Sequence, residues 1–145
     1  MSCGPGIFTI PAAEIAGVKG IIHAFDVRSQ PLERVRGKAE NAGLTNIRTI
    51  LAENSSLSTG LQDESADVIL VFDMLHTVTD KEGLFRELQR VLKKNGFLSV
   101  FPMHLGTVRL LEIIEQSHLF CLRDRFSLPG YRSPSEVVNF IKYQR

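Results

Sequence analysis

Two hydrophobic rhythms alternate along the chain. Ile21-Ile22-His23-Ala24-Phe25 is a short apolar run that stops at Asp26, and Ile47 to Leu51 is a second strand-like segment. Ala66-Asp67-Val68-Ile69-Leu70-Val71-Phe72 is the clearest strand, an almost continuous apolar run of the kind that parallel strands covered on both faces require. Phe97 to Phe101 is a further buried strand, ended by Pro102. Phe120 to Phe126 and Val137 to Tyr143 read as two closing strands joined by a Pro/Gly/Ser loop.

Between these runs the apolar spacing becomes helical. Leu32, Val35, Ala39 and Ala42 form one stripe, with Ser29 as the expected cap and Gly43 as the stop. Leu84, Phe85, Leu88, Val91 and Leu92 form another behind Asp80. Thr107 to Ser117 is a third helix, with Val108, Leu111 and Ile114 expected inward. Near the start, Gly4-Pro5-Gly6 is a loop. Thr9 is the expected cap of a small apolar helix with Pro11 in its first turn, Ala12, Ala13, Ile15 and Ala16 packed on a sheet, and Gly17 at its end. Residues 52–65 are polar and loop-like.

The resulting order is loop-α-β-α-β-β-α-β-α-β-β. Such alternation implies an α/β fold with a mostly parallel sheet and helices on both faces. At 145 residues the chain is expected to form one domain, 1–145. In such folds ligands sit at the carboxyl ends of strands, where Asp26, Glu53-Asn54 and Asp73 all fall. A glycine loop opening a helix, with a carboxylate about 20 residues on, suits a nucleotide-like ligand.

Composition narrows the function classes. The chain is 43% hydrophobic and 23% charged, which excludes a disordered segment. A net charge of +1 without a basic run gives no footprint for nucleic acid. No apolar run is long enough for a bilayer span and no signal peptide is recognised, so no membrane partner is expected and the setting is read as cytoplasmic. Cys3 and Cys121 make neither a disulfide framework nor a metal set, and no metal is expected.

Five motifs in order resemble the class I S-adenosylmethionine-dependent methyltransferases. Cys3-Gly4-Pro5-Gly6 resembles the end of that family's glycine motif, and Ala24-Phe25-Asp26 its second-strand motif. Ala52-Glu53-Asn54 is similar to the acidic motif after the third strand, and Asp67 to His76 to the fourth-strand motif. Glu87 to Leu98 is similar to the stretch that leads into the fifth strand. The resemblance covers nearly the whole chain and is closest to the group that contains small-molecule and quinone methylating enzymes.

The resemblance implies a Rossmann-like three-layer αβα sandwich with an antiparallel C-terminal strand. It implies S-adenosyl-L-methionine as cofactor and a small-molecule methyl acceptor as partner. Backbone amides around Cys3, Gly4 and Gly6 would approach the methionine part, and Asp26 with Val27 beside it would take the ribose. Glu53 and the amide of Asn54 would meet the adenine, and Asp73 would face the methionine amino group or the acceptor. No catalytic residue is assigned; Asp73, His76 and His104 are the candidates for an optional base. Cys3 is read as a small loop residue before a nucleophile, and His23, His118 and Cys121 as structural.

The family's first strand has no counterpart here, and Ser2 stands where its first glycine would be. Three explanations stay open: a fragment of a longer protein, direct pairing of the flanking strands, or a gap filled by a second copy through strand exchange. Two alternatives of function also stand, an NAD(P)-dependent oxidoreductase and a non-catalytic Rossmann-like partner subunit. Thr9 fits poorly as the third small residue of a dinucleotide fingerprint.

Overall fold

A computed structural model of the chain describes residues 3–53, 57–129 and 136–143. It divides into two compact units, Met1–Leu57 and Ser58–Arg145.

The first unit holds α1 (Thr9–Ala16), β1 (Ile22–Asp26), α2 (Ser29–Asn41) and β2 (Ile47–Leu51). β1 and β2 pair in parallel, from Ile22 opposite Ile47 to Asp26 opposite Leu51. Leu32, Val35 and Ala39 of α2 are buried as the spacing predicts, while Ala42 lies past the helix end and is exposed. Thr9 and Ser29 are not caps. Each is the first residue inside its helix, behind Phe8 and Arg28, and neither N-terminus has a side-chain cap. α1 also buries less than expected: Thr9 and Ala13 are covered, whereas Ile15 points to solvent. Its C-terminal carbonyls are closed from a distance by Asn46, whose Nδ2 donates to Ala13 O at 2.8 Å and Gly17 O at 2.9 Å.

The second unit holds β3 (Ala66–Phe72), α3 (Lys81–Val91), β4 (Leu92–Phe101), α4 (Thr107–Ser117), β5 (Phe120–Ser127) and β6 (Glu136–Lys142). The sheet order is β3-β4-β6-β5, with β3 parallel to β4 and β6 antiparallel to both its neighbours. Of the loop between the closing strands, residues 130–135 lie outside the described residues. Asp80 caps α3, its Oδ1 accepting from Gly83 N–H at 2.8 Å. Leu84, Phe85, Leu88 and Val91 are buried beneath it, and Phe85 meets Phe120 edge to face at 6.3 Å.

Three further expectations, all in the second unit, need correction. β3 is not covered on both faces: Val68 and Leu70, which project to the same face of the sheet, are 44% and 43% exposed. The inward face of α4 is Thr107, Leu110 and Ile114; Val108 is 75% exposed and Leu111 half-buried. β4 begins at Leu92 rather than Phe97. Ala66 pairs with Leu92 and Val68 with Phe97, so Lys93-Lys94-Asn95-Gly96 bulges out of the ladder where a turn between helix and strand was expected. Gly96 is required there, since a Cβ would stand 2.6 Å from Asp67 O.

Candidate functional site

The glycine loop of the first unit is fixed by two anchors. Gly4 and Gly6 both adopt left-handed backbone, with φ of +56° and +83°. Around Gly4 the space is open, so conformation alone demands glycine, whereas a Cβ on Gly6 would also press on Val35 Cγ2 at 3.1 Å. The first anchor is Asp26, fully buried at the carboxyl end of β1. Its Oδ2 accepts from Gly4 N–H at 3.3 Å, and its Oδ1 accepts from Arg28 N–H at 3.0 Å and Arg28 Nε at 3.4 Å. A buried carboxylate needs such donors to offset its lost hydration. The second anchor is Lys38 of α2, whose Nζ donates to Pro5 O at 2.7 Å.

Asp26 also continues into β2, since its carbonyl accepts from Ala52 N–H at 2.9 Å. This sets Glu53, exposed, two residues beyond the parallel pair, at the same edge as Asp26 and the half-buried Val27. Of the residues singled out in this unit, the structure therefore brings Gly4 onto Asp26 and sets Val27 and Glu53 at that edge. Asn54 lies outside the described residues. The Cys3 thiol is half-buried, and burial, followed by the Asp26 charge, raises its pKa above the ordinary value, so it is a poor nucleophile at neutral pH. Arg28 and Lys38 were missed by the sequence reading. Lys38 stands in the last turn of α2, where a basic side chain ordinarily needs no explanation beyond the helix dipole.

In the second unit, Asp73 directly follows β3, and its N–H donates to Phe101 O at 3.0 Å, prolonging the β3–β4 ladder by one bond. Its φ of +52° is uncommon for a residue other than glycine, though Asp tolerates it better than most. His104 lies in the turn after β4. Its Nδ1 stands 2.6 Å from Asp73 Oδ1, and His76 Nδ1 lies 3.7 Å from that same oxygen. The two imidazole centroids are 4.8 Å apart. The three side chains named as separate candidates thus form one cluster at the carboxyl edge of a parallel pair.

Comparison with known proteins places these two edges in context. A family profile described as "Methyltransferase domain" matches residues 1–100. A 2-phytyl-1,4-naphtoquinone methyltransferase of Synechococcus elongatus is 29% identical over 130 residues, covering 90% of this chain and 54% of that protein. A demethylmenaquinone methyltransferase of Staphylococcus epidermidis is 28% identical over 127 residues, covering 88% of this chain and 49% of that protein. The chain thus spans about half the length of these relatives. Among solved structures, a SAM-dependent methyltransferase from Aquifex aeolicus superposes with a TM-score of 0.81 at 19% identity, over 97% of this chain and 79% of that one. That likeness gives the fold: Rossmann-like α/β, parallel pairs followed by an antiparallel C-terminal strand.

Proposed function

The chain belongs to the methyltransferase domain family, and from that premise we propose that residues 1–145 act as one S-adenosylmethionine-dependent methyltransferase domain with a small-molecule acceptor of the quinone type for which the relatives are named. The match favours this over an NAD(P)-dependent oxidoreductase or a non-catalytic partner subunit. Among the described residues no helix is long and apolar enough to cross a membrane.

The observation that carries the proposal is the glycine loop bonded to a buried acid at the end of a parallel strand. The residues fit the cofactor's chemistry. Gly4 has open space where a side chain would be, which lets a ligand approach its backbone. Asp26 is an acceptor-only carboxylate already bonded to the loop amide, so ribose hydroxyls would replace one donor with others. Cys3, Gly4 and Gly6 would line the methionine part, Val27 would flank the ribose, and Glu53 with Asn54 would meet the adenine. Asp73 would face the methionine amino group or the acceptor.

When bound, S-adenosylmethionine supplies a methyl group already activated by its sulfonium charge. The chain's own contribution is alignment: holding the acceptor's nucleophilic atom in line supplies much of the rate without covalent chemistry by the protein. Thermal unfolding with and without ligand tests the proposal. S-adenosylhomocysteine should raise the melting temperature and NAD should not. Protection by NAD alone would overturn it.

A further inference from the structure

We propose that Asp73, His76 and His104 form a binding site for a divalent transition-metal ion of the zinc class. Each residue offers one donor atom, and these atoms lie within 4.8 Å of one another. Two imidazoles and one carboxylate are the donor set preferred by zinc, cobalt and nickel over magnesium or calcium. Around an ion with bonds of about 2.0–2.2 Å, neighbouring tetrahedral ligands stand roughly 3.4 Å apart. The distances to Asp73 Oδ1, 2.6 Å from His104 and 3.7 Å from His76, bracket that separation. The His104 side chain is 61% exposed, which leaves its ring room to turn away from that contact.

The backbone behind the cluster is held on all three sides. Asp73 is bonded into the sheet through Phe101 O. His76 sits in a 3-10 turn, Leu75–Thr77, closed by Thr77 N–H and Thr77 Oγ1, which donate to Met74 O at 2.9 Å and 2.7 Å, with Met74 and Leu75 buried. The His104 turn is closed by Leu105 N–H and Gly106 N–H, which donate to Pro102 O at 3.2 Å and 3.0 Å. With the backbone framed in this way, the freedom lost on binding an ion is that of the side chains alone. Sequence composition alone predicts no metal set, because that expectation counts cysteines and close spacings. Here the third donor arrives from 31 residues away, through the register of two parallel strands.

Three protein ligands leave at least one position open for water or substrate, the arrangement of catalytic rather than structural ions. An acceptor hydroxyl bound there would lose its proton more readily. That use rests on the proposed function; ion binding does not.

The test is titration of the tag-free, chelator-treated chain with Zn2+ by calorimetry and with Co2+ by visible absorption. One saturable equivalent and a Co2+ ligand-field spectrum are expected, with no response to Mg2+. His76→Ala and His104→Ala should each weaken binding by more than about tenfold, the scale on which even outer-shell partners of a metal act. Both residues are exposed, and unchanged circular dichroism verifies the fold. Absence of saturable binding, or binding unaltered in both variants, overturns the site. S-adenosylhomocysteine binding measured without metal reports separately on the methyltransferase reading, so either can fail alone.

Discussion

Replacing Glu87 with glutamine should destabilise the second unit by an amount that depends on pH. Glu87, on α3, is almost covered. Its Oε1 accepts from Thr59 N–H and Thr59 Oγ1, both at 2.6 Å, and from Arg90 Nη2 at 2.8 Å, while Oε2 accepts from Arg90 Nε at 2.8 Å. The Arg90 pairing, helped by Thr59, holds the carboxyl down at about 2. Relative to an ordinary glutamate near 4.3, and at roughly 1.36 kcal/mol per pH unit, the ceiling on this contribution is about 3 kcal/mol. Arg90 is about one-third exposed, and solvent screening reduces the expected value to about 1–2 kcal/mol. The folded value lies below the unfolded one. The contribution is therefore complete above the unfolded pKa and is lost as the pH falls through the folded pKa of about 2. Urea unfolding followed by circular dichroism, chosen because the chain has no tryptophan, should give a gap of about 1–2 kcal/mol between the two proteins at pH 6 and less than half of it at pH 3. An equal gap at both pH values, or none at pH 6, would rule out a stabilising role for the ionised Glu87.

Other substitutions probe the packing and the loop. Gly96→Ala should cost about 1–3 kcal/mol in the same urea assay, because the new Cβ meets Asp67 O at 2.6 Å and backbone cannot yield as a side chain can. Leu110→Ala should cost about 2–5 kcal/mol, and Val108→Ala less than about 0.5 kcal/mol, if the inward face of α4 is the one described. Cys3 should react with iodoacetamide at pH 7 more slowly than a free cysteine peptide, because its raised pKa lowers the thiolate fraction; mass-spectrometric rates check this.

The strands were largely legible in the sequence. Ile47 to Leu51 and Ala66 to Phe72 stand as read, since their short length and their β-branched and aromatic residues favour strand over helix. Helix phase was less so. In α4 the apolar residues Val108, Leu110, Leu111 and Ile114 allow two stripes, and only the packing selects the one through Leu110 and Ile114. Thr9 and Ser29 are good capping residues by type, but a cap is a backbone position, and here Phe8 and Arg28 occupy it. The bulge at Lys93 to Gly96 depends on what β4 pairs with, which local propensity does not encode. The same holds for the candidate sites. Gly4 and Asp26 were readable from spacing, and the structure joins them by a hydrogen bond. The meeting of Asp73, His76 and His104 was not, because it needs the parallel register of β3 and β4.

In the proposed function, the loop at Gly4 and the acid at Asp26 together hold S-adenosylmethionine. Calorimetric titration with S-adenosylhomocysteine tests it most directly, on the intact chain and on Asp26→Ala, with circular dichroism to verify folding. Saturable one-to-one binding by the intact chain and its loss in the variant are expected. No binding by the intact chain, or equal binding by a folded Asp26→Ala protein, would contradict it.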